Sequence, residues 1–157
     1  MKENNVLFIS STGGHLDELL QLKELFKKYN SYIITEKTKS NDKLKDKYNN
    51  VFYLIYGTRR NILLYPFIFL FNIIKSFVLY FKIKPKVIVT TGTHTAVPMC
   101  YIAKMFRKKV IYIETFANRY SKTLAGKMIY HIADTFIVQW EEMLELYPKA
   151  KYFGSIY

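Results

Sequence analysis

A single cysteine, Cys100 in an apolar stretch, excludes an internal disulfide and suits a reducing compartment. Acidic side chains are scarce, 12 against 24 basic ones, and the resulting formal charge of +12 points to an anionic partner surface. Nucleic acid and anionic lipid are the usual candidates. No base-stacking aromatics interleave with the charges in a recognisable motif and no groove-reading element is evident, so nucleic acid is set aside. No linker, repeat or shift of composition marks a second domain, and residues 1–157 read as one domain. No secretory leader is visible, because Met1-Lys2-Glu3-Asn4-Asn5 runs straight into the first strand. The dinucleotide fingerprint and the Walker loop are both missing. No cofactor and no metal site is expected.

What is present alternates. Apolar runs near 6–10, 32–35, 51–55, 87–91, 110–114, 135–139 and 151–153 are separated by helical patterns, the signature of an α/β, Rossmann-like parallel sheet with helices on both faces. The polar stretch Lys37 to Asn50 reads as a loop or a poorly packed helix, its lysines a solvated face. Ligands in such sheets sit beyond the carboxyl ends of the strands, near the point where strand order reverses. Three loops are expected to meet there: Gly13-Gly14-His15, Thr91-Gly92-Thr93-His94-Thr95, and Glu114 to Arg119.

The string Ser11-Thr12-Gly13-Gly14-His15 joins Val6-Leu7-Phe8-Ile9 to a helical pattern of Leu16, Leu19, Leu20, Leu22, Phe26 and Tyr29. Adjacent glycines let the backbone approach a bulky anion, and the start of the following helix favours a phosphate. A plain strand-to-helix turn, with His15 packing locally, explains the same string. His94 is open in the same way, as a functional residue or one that bonds locally. His131 is expected inside a helix, in a structural role.

From Ile62 to Phe81 the chain is almost long enough to span a bilayer. It joins the third strand to the fourth, and a spanning helix would put two strands of one sheet on opposite sides of the membrane. Pro66 can start a helix. Asn72, Lys75 and Ser76 share one side, leaving an apolar sector far wider than sheet packing needs. Arg59 and Arg60 before the segment, with Lys82, Lys84 and Lys86 after it, complete an amphipathic, basic element expected to lie in the interface of an anionic membrane. Arg59, Arg60, Phe67, Phe69, Leu70, Phe71 and Phe77 are its candidate membrane residues. Burial against another protein chain is the alternative.

The glycine loop with Leu19, Leu20 and Leu22 resembles the opening of GT-B transferases that glycosylate lipid-linked acceptors, MurG among them. A later run is more specific: Ile113-Glu114-Thr115, Gly126-Lys127-Met128-Ile129-Tyr130, Ala133-Asp134, Phe136-Ile137-Val138-Gln139-Trp140-Glu141-Glu142, Tyr147-Pro148 and Tyr152-Phe153-Gly154. It resembles the Alg-fourteen/CpsF/PssD family, the membrane-bound subunit of two-part glycosyltransferases, and especially its capsule and exopolysaccharide members. The resemblance covers essentially the whole chain.

It implies the amino-terminal, acceptor-side half of a GT-B enzyme, with a catalytic donor-binding subunit as partner and no activity alone. It implies a polyprenyl-diphosphate-linked sugar as acceptor and a place on the cytoplasmic face of the cell membrane, peripheral or monotopic. Thr12, Gly13, Gly14, His15, Gly92, Thr93 and His94 fall on the loops assigned to the acceptor diphosphate. His15 and Glu114 are the candidate catalytic residues; His15 fits a diphosphate ligand equally, and Glu114 a sugar contact or a helix cap. Two departures stand out: Thr12 stands where relatives often carry Gly or Ser, and Asn118 stands where they carry Arg, with Arg119 one place later. Tyr152, Phe153, Gly154, Ile156 and Tyr157 are expected to meet the partner, and Gln139 and Trp140 to pack at the sheet end or against it. The rival reading is a non-catalytic membrane anchor that activates the partner. A third is a free-standing nucleotide-binding enzyme.

Overall fold

The computed structural model describes residues 4–57 and 63–157. Strands β1 (Asn5–Ile9), β2 (Asn30–Glu36), β3 (Val51–Leu54), β4 (Val87–Thr90), β5 (Lys109–Ile113), β6 (Thr135–Val138) and β7 (Lys151–Tyr152) form one sheet of order β3-β2-β1-β4-β5-β6-β7. Every pairing is parallel, and the order reverses between β1 and β4. This is the doubly wound, Rossmann-like arrangement. Each strand lies within about two residues of its expected place.

Side chains alternate across the pleat, so each strand feeds two cores. Val6 and Phe8 turn to one face, where they meet Leu16 and Leu19 of α1 (Gly14–Leu20), Phe26 of α2 (Lys23–Lys28) and Leu44 of α3 (Leu44–Lys47). Leu7 and Ile9 turn to the other, toward Leu79, Tyr80 and Ile83 of α4 (Tyr65–Ile83), Met99 and Cys100 of α5 (Val97–Met105), Ile129 of α6 (Leu124–Ile129) and Met143 of α7 (Met143–Leu146). The helix expected to run unbroken through Tyr29 is interrupted after Leu20, and Leu22 (φ −77°, ψ 20°) starts α2. His131 lies in the turn beyond α6, exposed, and not inside a helix. The Lys37–Asn50 stretch holds a 3₁₀ turn, Lys39–Asn41, and the short α3, pinned by buried Asn41 and Leu44.

Helix α4 packs the opposite way to an ordinary crossover helix. Its buried residues include the polar Asn72 and Ser76, while Phe67, Leu70, Phe71, Ile74, Phe77 and Val78 are exposed. Asn72 explains the inversion: its Oδ1 accepts from Ile55 N at 2.9 Å and its Nδ2 donates to Ile55 O at 2.8 Å, closing the backbone groups that β3 leaves at its end. The helix is long and apolar enough to cross a membrane. It nevertheless lies against the sheet, since β3 before it and β4 after it both pair within that sheet. Arg59 and Arg60 lie outside the described residues.

Candidate functional site

The three loops converge at the carboxyl end of the sheet, on both sides of the β1/β4 reversal. Ser11 N donates to Gly92 O at 3.1 Å, tying the first loop to the second. Gly13 takes φ +77° and Gly92 takes φ +92°, backbone conformations that glycine enters without strain. Gly14 has no such need, and a Cβ built on it would meet nothing within 4 Å. Neither backbone strain nor packing inside this chain demands glycine at position 14, and the ledge it forms with Gly13 faces open space.

His15 is locked between β1 and β4. Its Nδ1 lies 2.8 Å from Thr91 O, and a carbonyl only accepts, so Nδ1 carries the proton and Nε2 is the acceptor of the neutral ring. Thr91 Oγ1 donates in turn to His15 O at 2.6 Å. Two opposed hydrogen bonds therefore fix both the backbone and the tautomer. With Gly14, Glu18, Thr115, Phe116, Ala117 and Tyr157, His15 lines an open cavity of about 560 Å³.

Glu18 is absent from the sequence reading, although a carboxylate between Leu16 and Leu19 on the buried face of a helix was a visible signal. It is 3% exposed. Its Oε1 accepts from Thr115 Oγ1 and from Phe116 N, both at 2.8 Å, clamping α1 to the loop after β5. Its Oε2 is buried with no hydrogen-bond partner. Burial pushes the carboxyl above its ordinary range, against the opposing pull of Thr115, Phe116 and the neighbouring His15.

Glu114 lies elsewhere. It is 1% exposed, and its carboxylate accepts from Thr123 Oγ1 at 2.9 and 3.1 Å, from Tyr147 Oη at 2.9 Å and from Thr115 N at 3.1 Å. Thr123 is the N-cap of α6, so the carboxylate knits β5, α6 and the end of α7 together. Its backbone carbonyl accepts from Gln139 Nε2 at 3.0 Å, while Gln139 Oε1 accepts from Ile156 N at 3.0 Å. Gln139 thus packs at the sheet end, where it holds the carboxyl-terminal segment. Trp140 donates to Phe116 O at 2.8 Å and stacks on Phe116. Tyr157 meets Phe116 edge-on, Tyr152 and Phe153 are exposed, and Gly154 takes φ +88°. Arg119 pairs with Glu142 and lies over Trp140, so its charge is turned to α7 and not to the His15 cavity.

Thr12 and His94 diverge from His15. Thr12 Oγ1 lies 3.2 Å from Thr38 Oγ1 and accepts from Asn41 Nδ2 at 3.3 Å. His94 faces a second carboxylate that sequence reasoning missed, Glu36 at the end of β2: Nε2 lies 3.5 Å from Glu36 Oε1, and Nδ1 lies 3.2 Å from Thr93 Oγ1. Thr95 Oγ1 donates to the same Glu36 oxygen at 2.9 Å. Thr93 and His94 border a separate cavity under the start of α4. On α4, Phe67, Leu70, Phe71 and Phe77 face outward as expected, whereas Phe69 is half-buried and stacks on Tyr65. Among the described residues no group of three or more His, Cys, Asp or Glu side chains is placed to hold a metal ion.

Solved structures share this architecture. The chain superposes on the Acinetobacter baumannii MurG crystal structure with a TM-score of 0.70 at 17% identity, covering 88% of this chain and 42% of that one. It superposes on the S. aureus MnaA–UDP co-structure with a TM-score of 0.75 at 12% identity, covering 98% of this chain and 45% of that one. The fold is therefore the Rossmann-like domain of GT-B proteins, in the form of a GT-B amino-terminal half. Within that class the chain belongs to the family described as oligosaccharide biosynthesis protein Alg14 like, whose profile matches residues 6–156. It is 40% identical over 93 residues to the rat UDP-N-acetylglucosamine transferase subunit ALG14, covering 55% of this chain and 43% of that protein. With the human ALG14 subunit it shares 38% over 87 residues, covering 52% of this chain and 40% of that protein. The matched stretch thus spans well under half the length of these relatives.

Proposed function

We propose that this chain is the membrane-attached, acceptor-side subunit of a two-part glycosyltransferase, acting on a sugar carried by a polyprenyl diphosphate. The donor nucleotide sugar is held by a separate catalytic partner, and the product feeds a capsular or exopolysaccharide pathway. Family membership supports the subunit role, since the mammalian relatives are named as subunits of a UDP-N-acetylglucosamine transferase. The polysaccharide setting rests on the likeness of the Glu114 to Gly154 run to capsule members. Attachment to the cytoplasmic leaflet rests on the outward Phe and Leu side chains of α4 and on the basic charge.

The observation that carries the chemistry is the fixed tautomer of His15. An acceptor whose diphosphate lies along the Gly13–Gly14 ledge puts its sugar into the His15 cavity. Nε2 then takes the proton of the attacking hydroxyl as its oxygen bonds to the anomeric carbon of the donor and the nucleoside diphosphate leaves. Glu114, sealed inside its four donor contacts, supports the site without touching the substrate. Glu18 holds the β5 loop that walls the cavity.

The test is reconstitution with the donor-binding subunit, a nucleotide sugar and a lipid-linked acceptor. His15→Ala should lower turnover by about 10²-fold or more, the span of general base catalysis, while the complex and its membrane attachment persist. Turnover within about twofold of wild type would overturn this assignment. It would favour the anchor reading, in which the chain recruits its partner and contributes no reacting group. This polypeptide alone should transfer nothing.

A further inference from the structure

The second cavity, about 260 Å³, is walled by Tyr65 and Phe69 at the start of α4, Val97 on α5, and Leu124, Ala125 and Met128 on α6. Ligand pockets usually measure about 300–1,000 Å³, so this one has room for a small apolar group and not for a nucleotide sugar. Its polar atoms are confined to one edge, formed by Thr93, His94 and Thr123. Both ring nitrogens of His94 are engaged within the protein, toward Glu36 and Thr93, and Glu36 is 2% exposed. The ring closes the cavity as a wall held in place by a buried carboxylate. Tyr65 packs against it with ring centroids 5.9 Å apart.

The position of the cavity gives it meaning. At its polar edge Thr93 directly follows Gly92, where an added Cβ would lie 3.6 Å from His15 Nδ1, so one residue of backbone separates this cavity from the His15 site. Its apolar walls run out to Leu124 and Met128, both over 40% exposed, and Leu63, Leu64 and Phe67, close in sequence to its Tyr65 and Phe69 walls, are exposed as well. The cavity thus lies between the start of α4 and the loop after β4 that adjoins the glycine ledge.

We propose that this cavity receives the first isoprene unit of the acceptor's carrier lipid, with the diphosphate on the Gly13–Gly14 ledge, its lipid end leaving past the adjoining Gly92–Thr93, and the rest of the chain running down the outer face of α4. The inference rests on the acceptor-side reading above. It adds an orientation: sugar toward His15, lipid toward α4, and the phosphates on the glycine ledge between them, with the lipid end passing the β4 loop. It also assigns Leu124 and Met128 of α6 a role in ligand binding.

The experiment measures binding of farnesyl diphosphate, inorganic diphosphate and phosphatidylglycerol vesicles to the full chain and to Met128→Trp and Leu124→Trp. Both positions are exposed enough for an indole to fill the cavity without disturbing the core, and thermal melts check this. Farnesyl diphosphate should bind wild type more tightly than inorganic diphosphate does. Each Trp variant should weaken the farnesyl compound about tenfold or more and leave inorganic diphosphate and vesicle binding at wild-type strength. Unchanged farnesyl diphosphate affinity in both variants, with inorganic diphosphate still bound, overturns the cavity assignment and leaves the acceptor reading standing. Equal losses on vesicles and on farnesyl diphosphate also overturn it, because the two residues then serve only the membrane face. Failure of wild type to bind either diphosphate removes the acceptor reading and the cavity with it.

Discussion

Gly126→Ala should destabilise the protein although it places a better helix former inside α6. A Cβ at this position would lie 2.5 Å from Tyr147 Oη, 2.8 Å from Thr123 Oγ1, and in hard contact with Glu114 Oε2. Helix propensity alone predicts a gain of about 0.5–1 kcal/mol. Opposing it, the methyl must push the Glu114 carboxylate off its donors, and hydrogen bonds to a charged group contribute about 1.5–3 kcal/mol each. Loss of one or two of the Thr123 and Tyr147 bonds outweighs the propensity gain and leaves a net cost of about 2–4 kcal/mol. In a chain of this size that lowers the melting temperature by about 5–15 °C. Urea unfolding supplies the free energy, and a double-mutant cycle supplies the cause. In a Glu114→Ala background the hardest contact is gone, and the Tyr147 and Thr123 hydroxyls, no longer tied to the carboxylate, are free to give way, so its cost should fall to about 1 kcal/mol or less. The milder Tyr147→Phe, which removes one of the contacted oxygens, should couple with the same sign and a smaller size. A Gly126→Ala protein as stable as wild type, or a cost unchanged by Glu114→Ala, would refute the reasoning.

Other perturbations test the rest of the molecule. For Asp134, burial raises the carboxyl pKa, but Val110 N, Lys104 and Lys109 outweigh it and hold the group below its ordinary value. Its stabilisation is therefore present above the unfolded-state value near pH 4 and is lost as pH falls through the lower folded value, so Asp134→Asn should cost about 1 kcal/mol at neutral pH and progressively less in acid. A wild-type-to-variant gap in urea midpoint that stays constant down to about pH 2 counts against this. Asn72→Leu leaves Ile55 N and O without their side-chain partners and should cost about 1–3 kcal/mol, despite making α4 more apolar; a stabilised variant would show that the inverted packing is dispensable. Replacing Phe67, Leu70, Phe71 and Ile74 together by Ser should release the chain from anionic vesicles while its melting temperature holds, whereas high salt should weaken wild-type binding only in part. Unchanged vesicle binding by that variant would move the membrane surface elsewhere.

The sheet was legible because parallel strands buried on both faces leave short apolar runs that punctuation alone can place. The break between α1 and α2 was not, since Leu16, Leu19, Leu22 and Phe26 keep helical spacing through it and only backbone dihedrals betray the turn. At the site, the convergence of the loops followed from topology, but the two carboxylates that organise them did not. Glu18 and Glu36 are 97 and 59 residues away from the threonines they bind, and no local pattern reports a partner at that separation. The polar side of α4 was read correctly as narrow, yet its direction was invisible until Ile55 supplied the backbone groups that Asn72 satisfies.

The residues that carry the family likeness mostly hold the fold together. Gly126 makes room for Glu114, Tyr147 and Thr123 bind it, and Gln139 links its carbonyl to the carboxyl-terminal segment. Tyr130 stacks edge-on to Phe136 and accepts Lys149 N, while Asp134 ties β5 to the start of β6. That half of the sheet is an interlocked scaffold in which any one substitution disturbs several neighbours. The glycine-loop half has the opposite character: Gly14 has no neighbour to accommodate, and the His15 ring is held through a single backbone carbonyl with its second nitrogen left over. Loss of transfer on changing Glu114 therefore cannot distinguish chemistry from collapse of the scaffold, whereas loss on changing His15 with the melting temperature intact can. The division matches the proposed roles, since a scaffold residue gains from every additional partner, whereas a residue proposed to meet substrate has to keep one lone pair free.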